Sequence, residues 1–226
     1  MASKHGETPG SHVPEFTRAE WDTFNRTHGF ESRLLDEDKD CLLKWVQDAT
    51  LPRGHVLEVG CAWGGTSAAL IRANAFARPG NEERWFGVDP YPEAAYFKRG
   101  SLSEPDEPAE AQHRIAPISY LCGALQLLAE YRPCWLHGTL GDLLEPRARQ
   151  FRLAFIDGDH SYEGVRSDTA YVAARMIHPG GVIILHDCTP IQPGVWRYWN
   201  ELCDKGGLFG FVPQGIEGYC GVLRRE

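Results

Sequence analysis

The chain has 226 residues and 42% apolar content, which suits one large domain able to bury a core without disulfides or metals. Its formal net charge is −8, and its densest basic pair is Arg224-Arg225, so the basic stripe of a nucleic-acid-binding domain is absent. No apolar run approaches the ~20 residues of a membrane span, and residues 1–16 hold no segment of signal-peptide type. The seven cysteines are an odd number, widely spread and without CxxC spacing; free thiols in a reducing cytoplasm are expected.

Residues 1–13 are polar with Gly and Pro, as in a loosely attached terminus. Phe16, Trp21 and Phe24 lie among polar residues over 15–28, as in a short amphipathic helix. A firmer helix is expected over 31–49, with Leu34, Leu35, Cys41, Leu42, Trp45 and Val46 on one face. From Val56 the text alternates. Strands are expected at 56–59, 85–88, 134–137, 153–156 and 182–185. Helices are expected after the Gly-rich turn near 67, over 117–131, over 161–177 and near 194–204. Two strands, near 208–212 and 219–223, close the chain.

Strands alternating with helices predict an α/β fold: a doubly wound, seven-stranded, mostly parallel sheet with an antiparallel last strand and helices on both faces. In such sheets ligands bind beyond the carboxyl ends of the strands. Each strand here ends in a polar or Gly-rich cluster: Gly60 to Thr66, Asp89, Gly138 to Asp142, Asp157 to His160, and His186-Asp187. These five clusters read as one site.

The first cluster reads GxxxGG rather than GxGxxG. Its glycines let backbone approach a ligand, and the helix that follows offers unpaired N–H groups. Trp63 stands where a dinucleotide fold wants a small residue. Glu58, just before the glycines, would repel a phosphate but can receive an ammonium group, which favours an amino-acid-bearing cofactor over NAD. Asp89, ending the second strand, is placed to accept both hydroxyls of a ribose, or it simply starts an Asp-Pro turn. Asp157, Asp159 and His160 precede a helix; Asp159 or Ser161 can cap it.

The runs VLEVGCAWGGTS, FGVDPY, FIDGDHSYEGVRSD and HPGGVIILHDCT resemble class I S-adenosylmethionine-dependent methyltransferases. More narrowly, they resemble the group containing macrocin-type sugar O-methyltransferases and cephalosporin-pathway proteins. The resemblance covers roughly residues 40–225, and IDGDHSYEGV is its most specific part. It implies a methyltransferase domain over 31–226, preceded by a flexible segment over 1–30 with a helix that serves as a lid or dimer contact, so a homo-oligomer is compatible with it. It implies that S-adenosylmethionine is the cofactor. Gly60 and Gly64 would turn around the methionine, with Glu58 near its ammonium group. Asp89 would hold the ribose, Thr139 and Leu140 would border the adenine, and Asp142 would lie near its amino group.

Asp157 would stand between the sulfonium and the acceptor, and His160 would be the base, a role imidazole suits near neutral pH. The group's metal-dependent members carry acid or amide ligands where this chain has His186-Asp187. A divalent metal on Asp157, His186 and Asp187 is one reading, with magnesium disfavoured relative to manganese, iron or zinc by the imidazole. In the metal-free alternative, His186 contacts the acceptor or acts as base.

The expected reaction is therefore O-methylation of a small-molecule hydroxyl, a sugar or secondary metabolite, by in-line displacement. Tyr91, Tyr96, Phe97, Lys98 and His113 line an acceptor pocket or belong to a solvated insertion. Trp196, Tyr198 and Trp199 contact the acceptor or pack as core. The alternatives are N-, thiol- or carboxyl-methylation, a nucleotide-cofactor oxidoreductase, and a non-catalytic protein that kept the pocket.

Overall fold

The computed structural model describes residues 15–30, 32–62, 64–79, 83–89, 123–138, 140, 151–174 and 180–226. Helix α1 is Arg18–His28. Thr17 starts it: its hydroxyl accepts the Glu20 N–H while the Glu20 carboxylate accepts the Thr17 N–H. Helix α2 is Asp36–Gln47 and buries Cys41, Leu42, Trp45 and Val46. Strand β1 (His55–Val59) leads through the Gly-rich turn into α3 (Gly65–Ala77). Strand β2 (Trp85–Asp89) follows, and residues 123–127 are helical before β3 (Cys134–His137). Then come β4 (Phe151–Ile156), α4 (Tyr162–Ala173), β5 (Val182–Leu185), α5 (Pro193–Lys205), β6 (Phe211–Glu217) and β7 (Cys220–Arg225).

The seven described strands form one sheet in the order β3-β2-β1-β4-β5-β7-β6. β1 to β5 pair in parallel, while β7 runs antiparallel to both β5 and β6. Alternate residues of each central strand enter different cores. Val56, Leu153, Phe155, Val182 and Ile184 face α1, α2 and α3, together with Phe16, Trp21 and Leu42. Leu57, Ala154, Ile156, Ile183 and Leu185 face α4 and α5, together with Val165, Tyr198, Trp199 and Leu202. Tyr198 and Trp199 are therefore core residues; Trp196 is only partly buried.

Several boundaries differ from expectation: α2 begins at Asp36 rather than 31, and β4 and β6 shift as well. β4 starts at Phe151 because the Arg152 guanidinium, fully buried, finds partners: the Val46 carbonyl at 2.9 Å, Asn74 Oδ1 at 2.8 Å and the Glu83 carboxylate at 3.4 Å. Burial still pulls its pKa down to about 10, against the Glu83 charge. β6 begins at Phe211 rather than near 208, because the chain first turns through Gly206 and Gly207 and makes a Leu208–Phe211 bridge. Its Pro213 is tolerated because β6 is an edge strand. The six described cysteines are free thiols. Among the described residues no helix is long and apolar enough to cross a membrane.

Candidate active site

The carboxyl ends of β1, β2, β4 and β5 converge on one place, and ladder hydrogen bonds continue past the strands to fix it. Gly60 N–H donates to the Val88 carbonyl at 2.9 Å, Asp157 N–H to Val59 at 2.8 Å, and His186 N–H to Ile156 at 3.0 Å. β4 and β5 pair with Ile156 beside Leu185, so the next residues, Asp157 and His186, emerge side by side. By strand alternation both follow the parity of Phe155 and Ile184, the face that α2 covers.

Gly60 holds φ +87°, and a Cβ there would meet the Asp157 carbonyl oxygen at 2.1 Å. Only glycine fits this crossing of two backbones. Gly64, also left-handed at φ 76°, caps α3, whose first N–H groups face outward without helical acceptors. Around that end lie Ser32 and Thr66, whose hydroxyls are 3.1 Å apart, and Asn25 of α1. Asn25 Nδ2 donates to the Gly65 carbonyl, while its buried Oδ1 has no hydrogen-bond partner. Thr66 closes the first of the clusters the sequence offered, but sequence reasoning missed Ser32 and Asn25: an isolated hydroxyl or amide carries no signal until the fold gathers it.

Glu58 and Asp89 face less toward solvent than expected. The Glu58 carboxyl is fully buried on the α3 side of β1 and accepts the Trp85 indole N–H at 2.8 Å. Gly87, beside Glu58 on β2, leaves the room that the Trp85 ring fills. Burial pushes Glu58 well above the usual carboxylate range, and the Asp157 and Asp89 charges push the same way, against the nearby Ser67 hydroxyl and the Trp85 N–H. Asp89 is also buried, and its Oδ2 accepts two backbone N–H groups of the glycine turn, from Cys61 at 2.9 Å and Ala62 at 3.1 Å. Leu140 is buried in the layer beneath α4 and α5. Thr139 and Asp142 lie outside the described residues, as do Trp63, Tyr91, Tyr96, Phe97, Lys98 and His113.

At the centre stand three carboxylates and two imidazoles. Asp157 Oδ1 lies 3.2 Å from His160 Nε2 and 3.1 Å from His186 Nδ1. Asp187 contacts both rings, 3.5 Å from His160 and 3.6 Å from His186. It stands in the left-handed region at φ 59°, an uncommon conformation outside glycine that Asp tolerates and that gathers at functional sites. The third carboxylate is Asp38 of α2, 3.3 Å from His186 Nε2. His160 is 37% exposed and faces the mouth, whereas His186 is 10% exposed and lies beneath it. Asp159 is turned away, accepting the Ser161 N–H and hydroxyl, and Ser161 in turn caps α4.

The charges hold one another. Burial opposes ionisation of Asp157, but its His160 and His186 hydrogen bonds outweigh this and lower its pKa. Burial raises Asp187 despite both imidazoles. His160 is raised above 6.5, chiefly by its Asp157 hydrogen bond. For His186, burial works against the charged ring, yet Asp157 and Asp38 push it up to about 10.

A family model described as a methyltransferase domain matches residues 57–188. The chain belongs to that family. This methyltransferase has the class I fold, and solved structures share it. CalS11, a calicheamicin methyltransferase, is 16% identical over 98% of this chain and 99% of its own, with a TM-score of 0.59. The O-methyltransferase NovP is 18% identical over 84% and 79%, with a TM-score of 0.57. An O-methyltransferase from Bacillus cereus, in complex with SAH, is 15% identical over 92% and 90%, with a TM-score of 0.55. No curated protein matches the chain. Family membership sets aside the oxidoreductase and scaffold alternatives, and the methyltransferase draws its donor, S-adenosylmethionine, from the class it belongs to.

Proposed function

We propose that this methyltransferase methylates a hydroxyl group of a small molecule, with His160 as the base. One observation carries the reading: an imidazole open to the mouth, oriented by a carboxylate at 3.2 Å, at the end of adjacent parallel strands. With Nε2–H donated to Asp157, the lone pair of His160 is on Nδ1, the atom that takes the acceptor's proton. The bound donor supplies an electrophilic methyl on a sulfonium. A hydroxyl needs help with deprotonation, and His160 is the group here that gives it.

The cradle fits a methionine-bearing donor. The α3 N-terminus with the Thr66 and Ser32 hydroxyls suits its carboxylate, and the unpartnered Asn25 Oδ1 suits a cation or donor group beside it. Asp89, holding the glycine turn, is the group nearest in kind to a ribose acceptor.

The residues also fit a divalent cation. Once the His186 ring gives up its proton, Asp157, His186 and Asp187 each offer one ligand atom, all within 4.8 Å of one another. One nitrogen with carboxylate oxygens suits manganese, iron or zinc better than magnesium. Such an ion would polarise the acceptor oxygen as a Lewis acid. The charge of −8 supports a small acceptor rather than a nucleic acid.

Methyl release from labelled S-adenosylmethionine, measured against hydroxyl, amine, thiol and carboxyl acceptors, tests the reading. Transfer to hydroxyls, lost in His160→Ala with donor affinity kept, is expected. Wild-type turnover in His160→Ala removes it as base, and transfer only to amines, thiols or carboxyls removes the hydroxyl.

A further inference from the structure

His186 has two ring nitrogens, and the chemistry at the mouth concerns only Nδ1. Nε2 points the other way, across the α2-covered face of the sheet, to Asp38 Oδ2 at 3.3 Å. Asp38 is 1% exposed and sits at the first turn of α2. Its carboxylate is fixed from several sides. Oδ2 accepts the Leu35 N–H at 3.1 Å, Oδ1 accepts the Tyr219 N–H at 2.7 Å, and Cys220 Sγ lies 3.8 Å from Oδ1. Gly218 closes over it: a Cβ there would come within 2.6 Å of Oδ1. The carboxylate cannot turn without breaking these bonds. It is separated from His186 by 148 residues of sequence.

Three observations converge: a buried carboxylate, a distance within hydrogen-bond reach, and an opposite ring nitrogen aimed at the reacting groups. We propose that Asp38 is a positioning residue for methyl transfer, holding the Nε2–H of His186 and so turning Nδ1 toward Asp157 and Asp187. Asp38 itself touches neither donor nor acceptor. A carboxylate behind an imidazole fixes both its tautomer and its ring orientation, and such partners typically matter ten- to a hundredfold when removed. α2 and the β6–β7 turn thereby become part of the catalytic apparatus, joined at one side chain. The inference rests on the site described above as the place of reaction, but its first test does not depend on activity.

The full chain, labelled with ¹⁵N at histidine, gives that test. The His186 signal, assigned by its loss in His186→Gln, should show a proton on Nε2 that exchanges slowly with water. In Asp38→Asn that proton should exchange at least tenfold faster, while the chain stays folded by circular dichroism. A wild-type Nε2 without a proton overturns the proposal, and this measurement is made on the wild-type protein itself. A double-mutant comparison adds the kinetic readout. Asp38→Asn should lower kcat at least tenfold and leave KM for the donor within twofold, yet change the residual kcat of His186→Gln by less than twofold. An equal fall in both backgrounds makes Asp38 merely structural and overturns the proposal. Should no acceptor be methylated at all, the proposed function fails while the exchange measurement still decides the role of Asp38.

Discussion

Replacing Gly60 by alanine perturbs the site through a single methyl group. The residue stands at φ +87°, a region that costs an L-residue about 1–2 kcal/mol. The added Cβ would lie 2.1 Å from the Asp157 carbonyl oxygen and 2.6 Å from its carbonyl carbon. Ordinary contact begins more than an ångström further out, and the obstacle is backbone, so no rotamer change relieves it. Overpacking of this kind costs about 1–3 kcal/mol. The expected loss is together about 2–5 kcal/mol, read as a shift of the urea midpoint. The way to relieve the clash is to part β1 from the β4 end, which moves Asp157 against its partners at 3.1 and 3.2 Å. A displacement near 1 Å at a reacting centre costs about a hundredfold in rate. Turnover at saturating donor, measured at low temperature where the variant remains folded, should fall by that order. A variant with wild-type stability and wild-type turnover would refute both the assigned backbone crossing and the place of Asp157 in the chemistry.

Glu58→Gln should leave calorimetric affinity for S-adenosylmethionine within about threefold, because the carboxyl is buried against Trp85 and held well above its usual pKa. A tenfold loss, about 1.4 kcal/mol, would mean that a charged Glu58 does meet the ammonium group. Asp89→Ala should weaken donor binding more than tenfold, since the glycine turn loses two hydrogen bonds as well as any ribose contact; unchanged affinity contradicts this. Asp168, partly buried near Asp159, has its carboxyl pushed by burial from 3.8 to about 6. Its folded-state pKa is raised, so its contribution is complete below about pH 4 and is lost as pH climbs through about 6. Asp168→Asn should therefore be about 1–3 kcal/mol more stable than wild type at pH 7.5 and no more stable at pH 3.5, by urea unfolding at both values.

The parallel strands were legible because each is a short apolar run cut off by a polar residue, and because such runs alternate with helical periodicity. Their register was not legible, yet register is what places Asp157 beside His186. The same gap explains Glu58: its position before the glycines suggested a ligand contact, but strand alternation turns it under α3, where the space over Gly87 brings in the Trp85 ring. Asp38 was hidden for another reason. It stands in the acidic run DEDKD, where the helix start alone accounts for acidic residues, so nothing local separates it from Asp36 or Asp40. Only the fold shows that Asp38 faces inward to His186 while Asp36 and Asp40 remain at the surface. Arg152 misled in the opposite sense: a charge beside an apolar run read as the strand's edge, and its buried partners lie far away in sequence.

The β4–β5 pairing has a consequence for how such a protein can diversify. The gap between Asp157 and His186 is ruled by main-chain ladder bonds, which every sequence supplies, rather than by the side chains around the mouth. Substitutions elsewhere around the site can therefore accumulate without retuning the distance between Asp157 and His186.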